Sequence, residues 1–165
     1  MNHSRQPDDP DSSKAAYVLA LRWLGIRDLS EGQVRERLAR RGYTDVAIDP
    51  AIERLMQDRT LDDRRAAAAV ARTEANIRRH GPRRIMGRLA AMHIDRELAK
   101  DVVRELFSET DEAARIEQAL EKRLRGNGAL LRDPRERRKV VAYLVRQGFS
   151  AASASSAIRR RSRAQ

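Results

Sequence analysis

Cations are the side chains through which this sequence could do chemistry, and they recur at fixed places. Counted from the apolar residues Val34, Ile85 and Val140, positions −1, +3 and +6 fall within roughly 60° of one another at about 100° per helical residue. Two of the three are basic each time: Arg37 and Arg40, Arg84 and Arg88, Lys139 and Arg146. Such a flank suits a phosphate backbone or an acidic protein surface. In the third set the +3 position is Tyr143, whose ring could stack on a base. Two further groups crowd expected helix starts: Arg78, Arg79, Arg83 and Arg84, then Arg135, Arg137, Arg138 and Lys139. Cations are disfavoured at a helix N-terminus, and a bound anion would relieve that cost, so both starts are candidate anion sites.

Catalytic and metal chemistry finds no comparable support. Cysteine is absent, which removes thiol nucleophiles, thiolate ligands and disulfides together and fits a reducing compartment. His3, His80 and His93 stand at no ligand spacing, and no hydrolase or phosphate-loop signature occurs. Adjacent Asp62 and Asp63 fit helix capping, because their carboxylates can accept free N–H groups and favour the helix dipole. The expectation is a non-enzyme without cofactor or metal.

These cations need helices to position them. Start signals place nine: Ser13 to about Ile26; a second from Ser30, where Ser30 and Gln33 suggest a capping box; a third from Asp49 with Pro50 in its first turn. A fourth follows Leu61-Asp62-Asp63 and runs through an alanine stretch to about Arg79. The fifth and eighth repeat the proline device at Gly81-Pro82 and Asp133-Pro134; the sixth follows Asp95; the seventh and ninth begin near Asp111 and Ser150. No segment alternates with the period of a strand.

The helices fall into repeats. After the anchors Val34, Ile85 and Val140 come Leu38, Leu89 and Leu144 four residues on, then Tyr43, Ile94 and Phe149, then Ile48, Ala99 and Ala154, and finally Ile52, Val103 and Ile158, without a slip in register. The break inside each unit falls at Gly42, His93 or Gly148. Residues 13–61, 62–110 and 111–165 are therefore three tandem three-helix, helix-turn-helix-like repeats, expected to form an all-α, elongated and curved array. An insertion at 125–133, with Gly126-Asn127-Gly128 as a turn signal, reads as a mobile loop. Residues 1–12 read as a disordered acidic tail, and Arg159, Arg160, Arg161 and Arg163 as a basic end.

Totals agree with a polyanionic partner, or one assembled on a polyanion. The 165 residues include 35 basic and 24 acidic side chains, a formal charge of +11, and lysine occurs only at Lys14, Lys100, Lys122 and Lys139. A GC-rich genome would favour arginine over lysine, but it does not explain a surplus of positive charge. Apolar residues make up 41%, enough for a core without staples. No run approaches the roughly 20 apolar residues of a membrane span, and the polar start does not resemble a signal peptide. A cytoplasmic monomer without membrane attachment is expected.

The chain resembles the RecX family of recombinase regulators over nearly its whole length. The match is carried by Ala20 to Leu24 before Ser30 and Val34-x-x-x-Leu38; by Leu61-Asp62-Asp63; by Gly81 with Arg84-Ile85 and Leu89; and by Tyr143-Leu144-x-x-x-Gly148-Phe149-Ser150. The family commonly has an aromatic soon after the paired aspartates, where this chain has Arg65-Ala66-Ala67. It usually has glycine where His93 stands, and His is among the more tolerant non-glycine residues if that turn needs positive φ. The resemblance implies three three-helix repeats that bind the RecA filament on single-stranded DNA and mainly inhibit its recombinase, ATPase and coprotease activities in recombination and SOS repair. It implies neither catalysis nor cofactor. The rival reading is a free-standing helical module that binds duplex or single-stranded DNA directly. Against it, the repeats lack the Asn and Gln side chains that read adenine, although Arg could read guanine.

Overall fold

The computed structural model describes residues 7–107 and 109–163. Those residues form nine α-helices, one 3₁₀ helix and no strand. The helices are α1 (Ser13–Leu24), α2 (Glu31–Arg41), α3 (Asp45–Gln57), α4 (Asp63–Asn76), α5 (Pro82–Ala90), α6 (Arg96–Leu106), α7 (Glu109–Leu124), α8 (Pro134–Gln147) and α9 (Ala151–Arg163), with the 3₁₀ turn Gly128–Arg132 before α8. The chain packs as two compact units. Of the described residues, unit 1 holds 7–68 and 90–98, and unit 2 holds 69–89, 99–107 and 109–163.

The repeating apolar positions are the core. All three anchors and all three leucines four residues on are at most 1% exposed, as is Phe149. Ile48, Ile52, Ile94, Ala99, Val103, Ala154 and Ile158 are also buried, and Tyr43 packs half-buried against the unit 1 cluster. In unit 1, Ala16 and Ala20 of α1 let it lie close against α3 through Ile48, Ile52 and Leu55. In unit 2, α7, α8 and α9 close around Ile116, Leu120, Leu144 and Phe149. Trp23 and Tyr17 sit at the rim of the unit 1 core rather than inside it: the Tyr17 hydroxyl donates to Asp58 Oδ2 at 2.7 Å.

Each helix-turn-helix break is left-handed, with φ of 98° at Gly42, 58° at His93 and 101° at Gly148. The second and third turns also serve as docking points. In unit 2, the Gly81 N–H donates to the Gln147 carbonyl at 2.7 Å and the Arg83 N–H to the Gly148 carbonyl at 3.1 Å. The turn thus covers the start of α5. Backbones meet so closely there that a Cβ on Gly81 would lie 2.6 Å from the Gly148 carbonyl carbon. In unit 1, the turn at His93 covers the start of α2, where the Ser30 hydroxyl donates to the Met92 carbonyl. A Cβ on Gly32 would fall 2.3 Å from His93 Cβ. Glycine at position 32 makes the room that the larger turn residue takes up.

The paired aspartates divide the capping work. Asp62 Oδ1 accepts from the Arg65 N–H at 2.9 Å and starts α4, while Asp63 Oδ1 accepts from the Glu31 N–H at 2.7 Å and helps start α2. The Ser30–Gln33 capping box completes that second N-terminus. Burial pushes the Asp63 carboxyl above its ordinary range; the Glu31 N–H opposes this, and the Glu31 and Asp62 charges reinforce it. The folded chain therefore holds this proton more tightly than the unfolded chain. Its contribution is fully present below the ordinary carboxylate range and declines as pH rises through the raised value. Asp63→Asn keeps the acceptor without the charge, so it is expected to raise stability at neutral pH and flatten that decline in thermal melts. Asp63→Ala is expected to cost about 1 kcal/mol, because the Glu31 N–H loses its partner.

Four boundaries differ from the sequence reading. Helix α3 starts at Asp45 after Thr44, so Pro50 lies inside it. Pro50 and Val46, whose carbonyl loses its usual donor, are both exposed, while Ala47, Ile48, Ala51, Ile52 and Leu55 of the same helix are buried. Packing offsets the missing bond. Helix α4 stops at Asn76, short of Arg79, which takes φ of 63°. The insertion at 125–133 is a 3₁₀ turn with Leu131 1% exposed in the unit 2 core, since its apolar pair gains more from burial than from a free loop. The first half of the acidic tail, residues 1–6, lies outside the described residues. Its end is tied down: the Pro10 carbonyl accepts from the Thr44 N–H at 3.1 Å, and the Thr44 hydroxyl donates to Asp11.

Candidate partner-binding surface

A cation can serve a partner only if the fold leaves it free. Arg83 and Arg88 on α5 and Arg146 on α8 are exposed and make no side-chain hydrogen bond or ion pair among the described residues. Arg84 joins the two helices, its Nη1 donating to the Arg146 carbonyl at 3.2 Å. A guanidinium suits that place, because the last carbonyls of α8 carry negative partial charge. Its bond also fixes α5 beside the end of α8, which brings Arg84 and Arg146 together. Arg83 and Arg88 stand beside Arg84 on the same short helix, so unit 2 presents a basic patch drawn from two repeats.

The remaining expected residues have other work. In unit 1, the Arg37 guanidinium lies 5.8 Å from the Trp23 ring centre, and burial followed by the neighbouring Arg27 charge lowers its proton affinity. Arg40 pairs with Glu36 one turn back. In unit 2, Arg78 pairs with Glu74 at 3.0 Å and Arg79 Nη1 donates to Gln118 Oε1 at 2.8 Å. Arg137 donates to the Leu131 and Arg132 carbonyls at 3.1 and 3.3 Å, sealing the 3₁₀ turn. Arg138 Nε reaches the Pro134 carbonyl at 3.4 Å. Lys139 pairs with Glu136 at 2.7 Å, a bond that raises its proton affinity. Tyr143 is half-buried, with the Arg123 guanidinium 5.9 Å from its ring centre.

At both expected helix-start anion sites the chain already engages N–H groups of the helix start. At α5 the Gly81 and Arg83 N–H groups are already used by the Gln147 and Gly148 carbonyls. At α8 the Asp133 carboxylate accepts from the Arg135 N–H at 2.8 Å. These donors are taken by the chain itself, and Arg78, Arg137, Arg138 and Lys139 are held by nearby carbonyls and carboxylates, whereas Arg83 is left free among the described residues.

Sequence reasoning overlooked Glu74, a buried carboxylate that is 4% exposed on α4. Its Oε2 meets His80 Nδ1 at 2.5 Å and its Oε1 meets Arg78. Ala67, Ala71 and Ala75 are buried on the same helix, and Glu74 falls within that stripe. This spacing was the available signal. Glu74 holds the segment leading into α5, where the free arginines begin.

Family models described as the first, second and third three-helix domains of RecX match residues 16–55, 62–103 and 109–158. A protein named Regulatory protein RecX from Pelodictyon phaeoclathratiforme is 30% identical over 152 residues, covering 90% of each chain. One of the same name from Syntrophotalea carbinolica is 33% identical over 138 residues, covering 83% of this chain and 90% of its own. The crystal structure of RecX from Lactobacillus salivarius shares the fold at a TM-score of 0.80, covering 91% of this chain and 96% of its own at 21% identity.

Proposed function

This chain belongs to the RecX family, and from that premise we propose that it binds the RecA filament on single-stranded DNA and shifts it toward a less active state. The observation that carries the reading is the patch of unit 2, where Arg83, Arg88 and Arg146 are exposed and uncommitted beside Arg84. A nucleoprotein filament offers such a patch both phosphates and carboxylates. The proposal has the protein act without catalysis, cofactor or metal, as a cytoplasmic monomer. Relatives named as regulatory proteins rather than enzymes support a regulatory role. Among the described residues no helix is long and apolar enough to cross a membrane.

Inhibition requires discrimination. Equal affinity for active and inactive filament states would change nothing, while a tenfold preference, about 1.4 kcal/mol per bound protein, shifts their ratio tenfold. Recombinase ATPase on single-stranded DNA is expected to fall as this protein is titrated in, with recombinase occupancy of the DNA initially unchanged. Loss of ATPase that follows simple displacement of recombinase from DNA, reversed by added DNA, would instead show the free-standing DNA-binding module.

A further inference from the structure

We propose that unit 1 carries a second binding site, a groove for an acidic peptide with aliphatic anchors. The groove lies between α1 and the turn after α2 and is lined by Ala15, Val18, Leu19 and Tyr43, with Lys14, Arg22 and Arg41 at its edges. Lys14, Val18 and Arg22 recur every fourth residue, so α1 presents them on one face. Val18 is 41% exposed, a branched apolar side chain left at the surface beside the half-buried Leu19. None of the three cations makes a side-chain hydrogen bond or ion pair among the described residues. An apolar floor between unpaired cations matches a ligand that alternates carboxylates with aliphatic side chains. A nucleic acid would use the cations, but its sugars and bases gain little from valine and leucine, and Tyr43 is the sole aromatic lining residue.

The chain's own sequence indicates which kind of segment fits there. Residues 7–11 read Pro-Asp-Asp-Pro-Asp and bend at the rim of the groove, turning into α1 through the Ser12 N–H, which donates to the Asp9 carbonyl at 3.3 Å. Pro7 contributes to the lining, and Pro10 and Asp11 are held by Thr44. An acidic backbone is thus accommodated at the edge, while the cations of the groove remain unpaired. The site is separate from the unit 2 patch and does not depend on the filament reading.

Fluorescence anisotropy with a labelled peptide DDLDLDD and the full chain tests the proposal. Saturable binding is expected. It should weaken at least tenfold in Lys14→Glu/Arg22→Glu and, independently, in Arg41→Ala, with circular dichroism reporting that each variant is folded. The peptide DDGDGDD, with the same charge and no anchors, should bind at least tenfold more weakly to the unaltered protein. Absence of saturable binding, equal affinity for the two peptides, or full affinity in Lys14→Glu/Arg22→Glu overturns the site. So does a single-stranded oligonucleotide that displaces the peptide and loses as much affinity in the same variants, which would mark the groove as a nucleic-acid surface.

Discussion

Reversing Arg83, Arg88 and Arg146 together to glutamate is expected to lower affinity for a RecA filament at least hundredfold while leaving the fold intact. These side chains are exposed and without partners among the described residues, so folding gains almost nothing from their charge. At a charged interface, each lost contact costs about 1 kcal/mol or more, and reversal adds repulsion. Three such losses exceed the roughly 2.8 kcal/mol of a hundredfold change. Thermal unfolding should move by no more than about 2 °C, consistent with a few tenths of a kcal/mol. Arg137→Glu provides the contrast. Its guanidinium serves the Leu131 and Arg132 carbonyls, so that variant should lose stability more than affinity. Full binding by the triple variant would remove the patch from the account.

Gly148→Ala is expected to destabilise the protein by about 3 kcal/mol, combining an unfavourable left-handed φ with overpacking. At φ of 101° an alanine is strained, and its Cβ would lie 2.6 Å from the Arg84 nitrogen. That nitrogen belongs to backbone, which cannot swing aside as a flexible side chain would. The turn must retreat from α5, disturbing the bonds from Gly81 and Arg83. His93→Gly should be mild by comparison, because glycine takes φ of 58° without strain. Denaturant unfolding followed by circular dichroism measures both. Equal stability of Gly148→Ala and the unaltered chain would show that the turn does not lock α5.

Much of the fold was legible because burial follows the helical period. The register from Val34, Ile85 and Val140 led to buried side chains at nearly every repeating position, and the capping signals at Ser30, Asp62, Asp95 and Asp133 all act locally. Pro50 was misread for a physical reason. Its usual preference is for a first turn, but the buried stripe from Ala47 to Leu55 carries the helix past it. Leu130 and Leu131 looked like loop residues beside glycines, and only the three-dimensional core of unit 2 gives them a destination.

The proposed binding surface was less legible, because whether a cation is free depends on partners distant in sequence. Arg79 meets Gln118, and the N–H groups at the start of α5 meet Gln147 and Gly148. No local pattern announces either. The basic flank included Arg84, Arg88 and Arg146, which are exposed, yet it gave equal weight to Arg40 and Lys139, which neighbouring glutamates hold. Lys14 and Arg22 carried a signal of their own in the spacing of four around Val18. It was hidden in a helix read only for its core.

The central claim is tested most directly by comparing affinity for one labelled single-stranded oligonucleotide, naked and coated with recombinase, across a series of salt concentrations. Anisotropy should show tighter binding to the filament and a shallower fall with salt, because protein packing supplements the phosphate contacts and is poorly screened. For naked DNA, log affinity should fall by about 0.7 per phosphate contacted for each tenfold rise in salt. Equal affinities and equal slopes for the two targets would contradict the account.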